Sequence, residues 1–359
     1  MMPRASGLSG SSSLRDGTGS PRAVPGPRPE WYAGRMSAPA IHRLQPRRFL
    51  YTFAAYEPEL RIASGDTVTV ETRDAFGDDR ERRPLPESQK QRIPGTTLRE
   101  SNPLVGPVFV EEAREGDQLA VHILAIRPTR SFAISRQGPG FGSLTGEAPG
   151  KALLYNDPIP LIWFEWRLDL ERGMAAFDMP GSTVGRAEVP LRPFIGSIGV
   201  APRFGRIETS LTPGEFGGNM DFRDVVAGTT LYLPVWVDGA YLSFGDVHAA
   251  QGDGEINGTA LEVTAEVTLR IEVVKGGTAQ WPRLVDDQHL MTIGSGRPLE
   301  DCIRISQIEM LNWLTGEHGF RRDEAWQLMG QAGGIRIANF VDPAYTAVAL
   351  FPKRCLPGA

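Results

Sequence analysis

Apolar and polar residues alternate with a period of two along much of this chain, which predicts many short β-strands. Residues 261–274 (L-E-V-T-A-E-V-T-L-R-I-E-V-V) alternate throughout and predict one long half-buried strand. Val68 and Val70 mark a strand over 67–72, joined across the turn Ser64-Gly65-Asp66 to a shorter one over 60–63. Residues 118–126 are apolar on both faces and predict a buried strand, with His122 as a satisfied core histidine. Residues 161–170 carry Trp163, Phe164 and Trp166 and read as another buried strand. Asp238-Gly239, between the apolar runs 229–236 and 240–244, predicts a hairpin with a type I′ turn. After Lys275 the pattern changes. Ile303, Met310, Leu311 and Leu314 give residues 299–314 helical spacing, and 323–330 favour a second helix. Residues 335–341 and 346–351 read as closing strands.

This pattern predicts a mainly β body followed by a small α+β element. We divide the chain into a disordered tail over 1–45, a β-sandwich part over 46–150, a β portion over 151–275 and an α+β element over 276–359. The 359 residues, 41% of them hydrophobic, suffice for two or three packed units. The 41 glycines and 29 prolines favour short strands and turns over long helices. Residues 1–35 are rich in Gly, Ser and Pro and bury too little to offset their ordering entropy. Met36-Ser-Ala-Pro-Ala reads as a translation start, so part of the tail need not be native. Arg47-Arg48-Phe49-Leu50 suggests twin-arginine export, but its apolar stretch ends at Glu57-Pro58-Glu59 without a cleavage pattern, which argues against it.

Charge narrows the partners. The net charge is −5, and the first 35 residues contribute +3 from five arginines and two acids, so the remainder carries −8. An acidic body argues against nucleic acid and anionic membranes as partners. No apolar run approaches the roughly 18 residues that span a bilayer. The two cysteines, Cys302 and Cys355, form no C-x-x-C, which excludes a zinc ribbon and fits reduced thiols in a cytoplasmic protein.

Reactive residues concentrate in 243–258 (S-F-G-D-V-H-A-A-Q-G-D-G-E-I-N-G), where Asp246, His248, Asp253 and Glu255 lie among four glycines. Asp246 and His248 are two apart, so an extended backbone points them to one face. With Asp253 or Glu255 folded back, they make a site of two to four ligands. Mixed imidazole and carboxylate donors suit zinc or another divalent ion of intermediate hardness. The competing reading is a solvated acidic hairpin loop. Residues 214–223 present Asn219 and Asp221 after two glycines, as either a site or an Asx turn. Asp74, at the end of the 67–72 strand, is a further ligand candidate, whereas Asp78 and Asp79 read as surface. The apolar, glycine-rich stretch 190–202 suggests close backbone packing. Ser197 within it lacks a G-x-S-x-G setting, and neither cysteine lies near an activating histidine.

Four segments together resemble the acetamidase/formamidase family, in order and context. They are N-P-L-V-G-P-V-F-V-E (102–111), P-F-I-G-S-I-G-V-A-P (193–202), G-G-N-M-D (217–221) and G-D-V-H-A-A-Q-G-D-G-E (245–255). The likeness covers most of 60–350, including R-I-A-N-F-V-D-P (336–343). It implies a hydrolase of short aliphatic amides that releases ammonia and a small carboxylate. It also implies a jelly-roll-like sandwich with a barrel-like portion and a small α/β element, assembled as a homodimer. It further implies a divalent-metal site whose candidates are Asp74, Asn219, Asp221, Asp246, His248 and Glu255. The mixed donors make zinc the expected ion, with calcium as the alternative. On this reading His248 and Asp246 are ligands and Asp74 or Asp221 completes the shell. Glu255 is the general base, a role Asp253 fits equally on sequence, and Asn219 binds the amide nitrogen or the oxyanion. The chain departs from the family pattern before Leu60 and in the charged stretch 80–92, both of which reshape the pocket mouth. One rival is hydrolysis of a bulkier amide or carbamate, with Trp163, Trp166, Trp236 and Tyr241 lining a larger pocket. Another is a non-catalytic jelly-roll protein that binds calcium, against which His248 argues because calcium prefers oxygen ligands.

Overall fold

The alternating segments become strands that sort into two large sheets. In this computed structural model the described residues are 38–93, 97, 100–144 and 159–358. The expected tail up to residue 37 lies outside them. From Pro39 onward they form one compact unit.

The first sheet has nine strands, in the spatial order Ile41–Arg43, Thr67–Glu71, Ala265–Val274, Gln118–Pro128, Thr230–Pro234, Arg283–Val285, His289–Gly296, Tyr345–Pro352 and Gly334–Asn339. The second has twelve. Its central strand Leu242–His248 lies between Phe194–Gly199, Leu104–Val110 and the short Glu262–Val263. Val68, Val121, Leu231 and Leu269 of the first sheet share one core with Leu104, Val108, Ile195 and Phe244 of the second. This is a sandwich, and its mainly β class with a C-terminal α+β element is as expected. Both sheets stay open, and neither path closes into a barrel.

Three local expectations change because the chain crosses between sheets where the pattern suggests continuity. The 261–274 run is two strands: Glu262–Val263 belongs to the second sheet and Ala265–Val274 to the first. Leu60–Ile62 pairs in parallel with Leu104–Val110, while Thr67–Glu71 joins the first sheet, so the turn between them makes no hairpin. The same holds at Asp238-Gly239, which connects Thr230–Pro234 in the first sheet to Leu242–His248 in the second. Alternation reports that a strand has one buried face, and both sheets of a sandwich satisfy it.

Two other expectations also change. Order begins within the expected 1–45 tail, because Ile41–Arg43 pairs in parallel with residues 67–69. The Asp66 carboxylate anchors it, accepting from the Ala40 N–H at 2.7 Å and lying 2.8 Å from His42 Nε2. Ile162–Asp169 is not buried along its length: Trp163 is 52% exposed. It sits in the meander toward one end of the second sheet, of which Leu168 and Ala175 reach the shared core.

The helices Leu299–Glu317 and Arg322–Ala332 extend slightly beyond their expected bounds. Met310, Leu311, Trp313 and Leu314 pack on Leu290 and Phe351 as a separate apolar cluster. Both cysteines are free. Among the described residues no helix is long and apolar enough to cross a membrane.

Gly239 is where the crossing between sheets is tightest. Its φ is 85°, Ala240 and Tyr241 follow at 58° and 57°, and a Cβ at Gly239 would lie 2.0 Å from the Phe109 ring. Gly239→Ala is expected to cost at least about 2 kcal/mol in a denaturant melt, from left-handed strain plus overpacking. A loss within error of zero would contradict this account of the crossing.

Candidate active site and metal centre

Leu242–His248 is extended except at Asp246, whose φ of 55° turns the backbone out of the strand. The Asp246 and His248 side chains nevertheless converge, with His248 Nε2 3.4 Å from Asp246 Oδ1. Glu262 sits directly opposite His248 in the neighbouring strand and places Oε2 3.4 Å from the same nitrogen. Asp221, just beyond Gly217–Asn219, brings Oδ1 to 3.9 Å. These three carboxylate oxygens are buried and have no hydrogen-bond partner. Buried carboxylate oxygens are ordinarily satisfied, so the cluster has the donor set of a cation site. Two overlapping triads fit an ion, Asp221–His248–Glu255 and Asp246–His248–Glu262, each with ligand atoms within 4.8 Å.

The surrounding bonds fix the imidazole. Gln251 Nε2 donates to the carbonyls of Asp221 at 2.9 Å and Ala338 at 3.3 Å, so its Oε1 faces His248 Nδ1 at 2.8 Å. Nδ1 therefore carries the proton, and Nε2 is presented to the carboxylates. Asn219 is the hub beneath them. It donates both amide hydrogens, to Asp221 Oδ2 and Asp342 Oδ2, each at 2.6 Å. Its Oδ1 accepts from Ser197 Oγ and, at 3.1 Å, from Asn102 Nδ2, which also donates to Asp246 Oδ2 at 2.9 Å. Gly196 forms the floor: a Cβ there would lie 2.7 Å from Asp221 Oδ1 and 2.8 Å from Asp246 Oδ2. The enclosed cavity is about 20 Å³ and is lined by Asn219, Asp246, His248, Glu255, Glu262 and Asp342 among others. That holds roughly one water-sized occupant.

The profile of the acetamidase/formamidase family matches residues 54–208 and 203–355, nearly all of the described chain. The chain belongs to this family. It is 36% identical to an acetamidase from Yersinia enterocolitica of known structure, covering 90% of this chain and 96% of that one with a TM-score of 0.77. A Bacillus halodurans acetamidase structure matches at 32% identity and a TM-score of 0.73, over 87% of this chain and 98% of that one. The acetamidase of Mycolicibacterium smegmatis is 29% identical over 218 residues, 48% of this chain and 54% of its own length, so the match spans about half of that protein.

In this family member the structure gathers Asp221, Asp246, His248, Glu255 and Asn219 at one point. It does not bring in Asp253 or Asp74. The Asp253 side chain is 47% exposed and lies 3.7 Å from Arg223 and 3.4 Å from Arg336. Asp74 is buried but pairs with Arg130 at 2.8 Å and accepts from the Phe76 and Asp78 N–H groups. Arg130 in turn donates to the Glu262 carbonyl at 3.0 Å, so this pair braces the strand that carries Glu262. Sequence reasoning missed Glu262, Asp342, Asn102, Gln251 and Ser197 as parts of the site. Glu262 occupies a polar position of an alternating run, which reads as solvent-facing, and Asp342 lies in a family segment that by itself signals no chemistry.

Burial pushes Glu262 up to about 8 and Asp342 up to about 6, against the pull of His248 on the first and of hydrogen bonds on the second. Asp221 and Glu255 stand well above the carboxylate range, through burial first and then neighbouring acids. Burial alone would lower His248, but Glu262, Asp246 and Asp221 overcome it and hold the imidazole well above its ordinary value.

All these shifts act on stability in one direction. An acid raised on folding costs stability as pH climbs from its unfolded to its folded value. A raised histidine loses its contribution as pH passes its folded value. The melting temperature of chelator-treated protein is therefore expected to fall between pH 6 and 8.5, and added divalent cation to reverse the fall at pH 8. A melting temperature that holds level or rises across that range would contradict the electrostatics.

Proposed function

We propose that this protein hydrolyses short aliphatic amides to a carboxylate and ammonia at the His248 cluster. The observation that carries the reading is the set of three unpartnered carboxylate oxygens facing one imidazole nitrogen, in a chain of the acetamidase/formamidase family. Asp221, Asp246, His248 and Glu262 would hold a divalent cation, and the nitrogen donor favours zinc over calcium. Such an ion supplies Lewis acidity toward an amide carbonyl and lowers the pKa of water.

The protein's own groups supply the rest. Glu255 is buried beside Asp221 and lines the cavity, where burial and the neighbouring acids hold it protonated. With a bound cation offsetting those acids, it can ionise, take a proton from the attacking water and return it to the departing nitrogen. Asp253, drawn outward by Arg223 and Arg336, fits that role less well. Asn219 has both N–H groups committed to carboxylates, so we assign it to positioning them rather than to holding the amide. A cytoplasmic homodimer belongs to the same reading, supported for the compartment by the free thiols.

Purified protein given acetamide or formamide should release ammonia, and chelation should stop it. Glu255→Gln is expected to lower kcat by about 10²–10⁴ while bound metal per chain is unchanged. Metal lost in parallel with activity would make Glu255 a ligand and overturn its role as base.

A further inference from the structure

The small cavity has a larger neighbour. A chamber of about 410 Å³ adjoins it, and Glu255 and Thr259 line both. Gln251, which orients His248, also lines the chamber. The volume lies within the roughly 300–1,000 Å³ typical of ligand pockets, whereas the cavity at the carboxylates holds about one water. A second pocket of about 200 Å³ adjoins the cavity behind Arg136 and Phe141. The chamber is twice as large and shares Glu255 itself, so a substrate whose carbonyl reaches Glu255 has most room for its bulk on the chamber side.

The wall of the chamber combines an apolar face with a basic edge. Trp166, Val189, Ile256 and Leu261 supply its hydrophobic surface. The Trp166 indole N–H donates to Ser135 Oγ at 3.2 Å, and Phe177 stacks on the ring at 5.0 Å. Its polar edge is thus satisfied, and the rest of the ring is left to line the chamber. Arg192 and Arg223 form the basic edge; they face Asp224 at 2.5 Å and Asp253 at 3.7 Å, two carboxylates that Arg336 shares. Of the aromatics expected to line a larger pocket, Trp166 alone borders this one. Trp163 packs on Phe76, Tyr241 on Phe109, and Trp236 donates to the Glu215 carbonyl.

We propose that this chamber is the acyl pocket, and that it selects amides with a hydrophobic acyl group larger than the methyl of acetamide. A methyl group would leave most of the apolar wall without contacts, whereas a chain of several carbons or a phenyl ring would fill it. The proposal rests on the amide-hydrolase reading and adds the substrate class.

The test is a kcat/KM series on purified enzyme with acetamide, butyramide, hexanamide and phenylacetamide, read by ammonia release. Preference should rise by roughly fourfold per added methylene, expressed mainly in KM. Val189→Trp, which intrudes on the chamber, should cut the hexanamide-to-acetamide ratio at least tenfold. Turnover of acetamide with a flat or falling series would overturn the acyl pocket and leave the amide hydrolase standing. An unchanged ratio in folded Val189→Trp would place the acyl group elsewhere and overturn it too. Should that variant not fold, the wild-type series decides alone. Release of ammonia from no amide would overturn both readings.

Discussion

Five carboxyl groups, Asp221, Asp246, Glu255, Glu262 and Asp342, are buried around one imidazole, and the rest of the site follows from that crowding. An isolated buried carboxylate costs several kcal/mol, and like charges at this range cannot all ionise together. One imidazolium cannot balance five acids. Either protons enter, as the raised values of Glu262 and Asp342 show, or a divalent cation does. The folded protein holds this tension in place because every group around the acids is fixed. Asn219 spends both N–H groups on carboxylates, Gln251 sets the imidazole, and Gly196 leaves room for two carboxylate oxygens where any side chain would collide.

The sandwich explains how the acids converge from distant parts of the chain. The central strand Leu242–His248 supplies Asp246 and His248, its neighbour Glu262–Val263 supplies Glu262, and the segment after Gly217–Asn219 supplies Asp221. The C-terminal element is not an appendage. Gly254 bridges to Asn339, its N–H donates to the Ala338 carbonyl at 3.0 Å, and Phe340 N–H donates back to its carbonyl at 3.3 Å. Those bonds fasten the glycine-rich loop to the Gly334–Asn339 strand, whose continuation carries Asp342 to Asn219. The glycine-rich loop therefore owes its shape to residues some 85 positions downstream, from Gly254 to Asn339.

Much of this was legible before the fold was known, and the gaps have physical causes. Asp246, His248 and Glu255 stood out because glycines and reactive groups rarely mix so densely without a reason. Asp221 and Asn219 stood out for the same glycine context. Glu262 was hidden by periodicity itself. Its run alternates without a break, yet the chain changes sheets at Thr264, and that turns an outward position inward. Asp74 was misleading in the opposite way: an acid at a strand end looks like a ligand, and only the buried Arg130 beside it shows what it balances. Asp238-Gly239 carries a true turn signal, but turn chemistry does not say whether the next strand returns to the same sheet.

The most direct test of the central claim is an anomalous difference map from crystals of the protein purified without added metal or chelator. We expect one strong peak bounded by Asp221 Oδ1, Asp246 Oδ1, His248 Nε2 and Glu262 Oε2, with an absorption edge matching zinc. A map with no peak between those four atoms, in protein that releases ammonia from acetamide, would contradict the account.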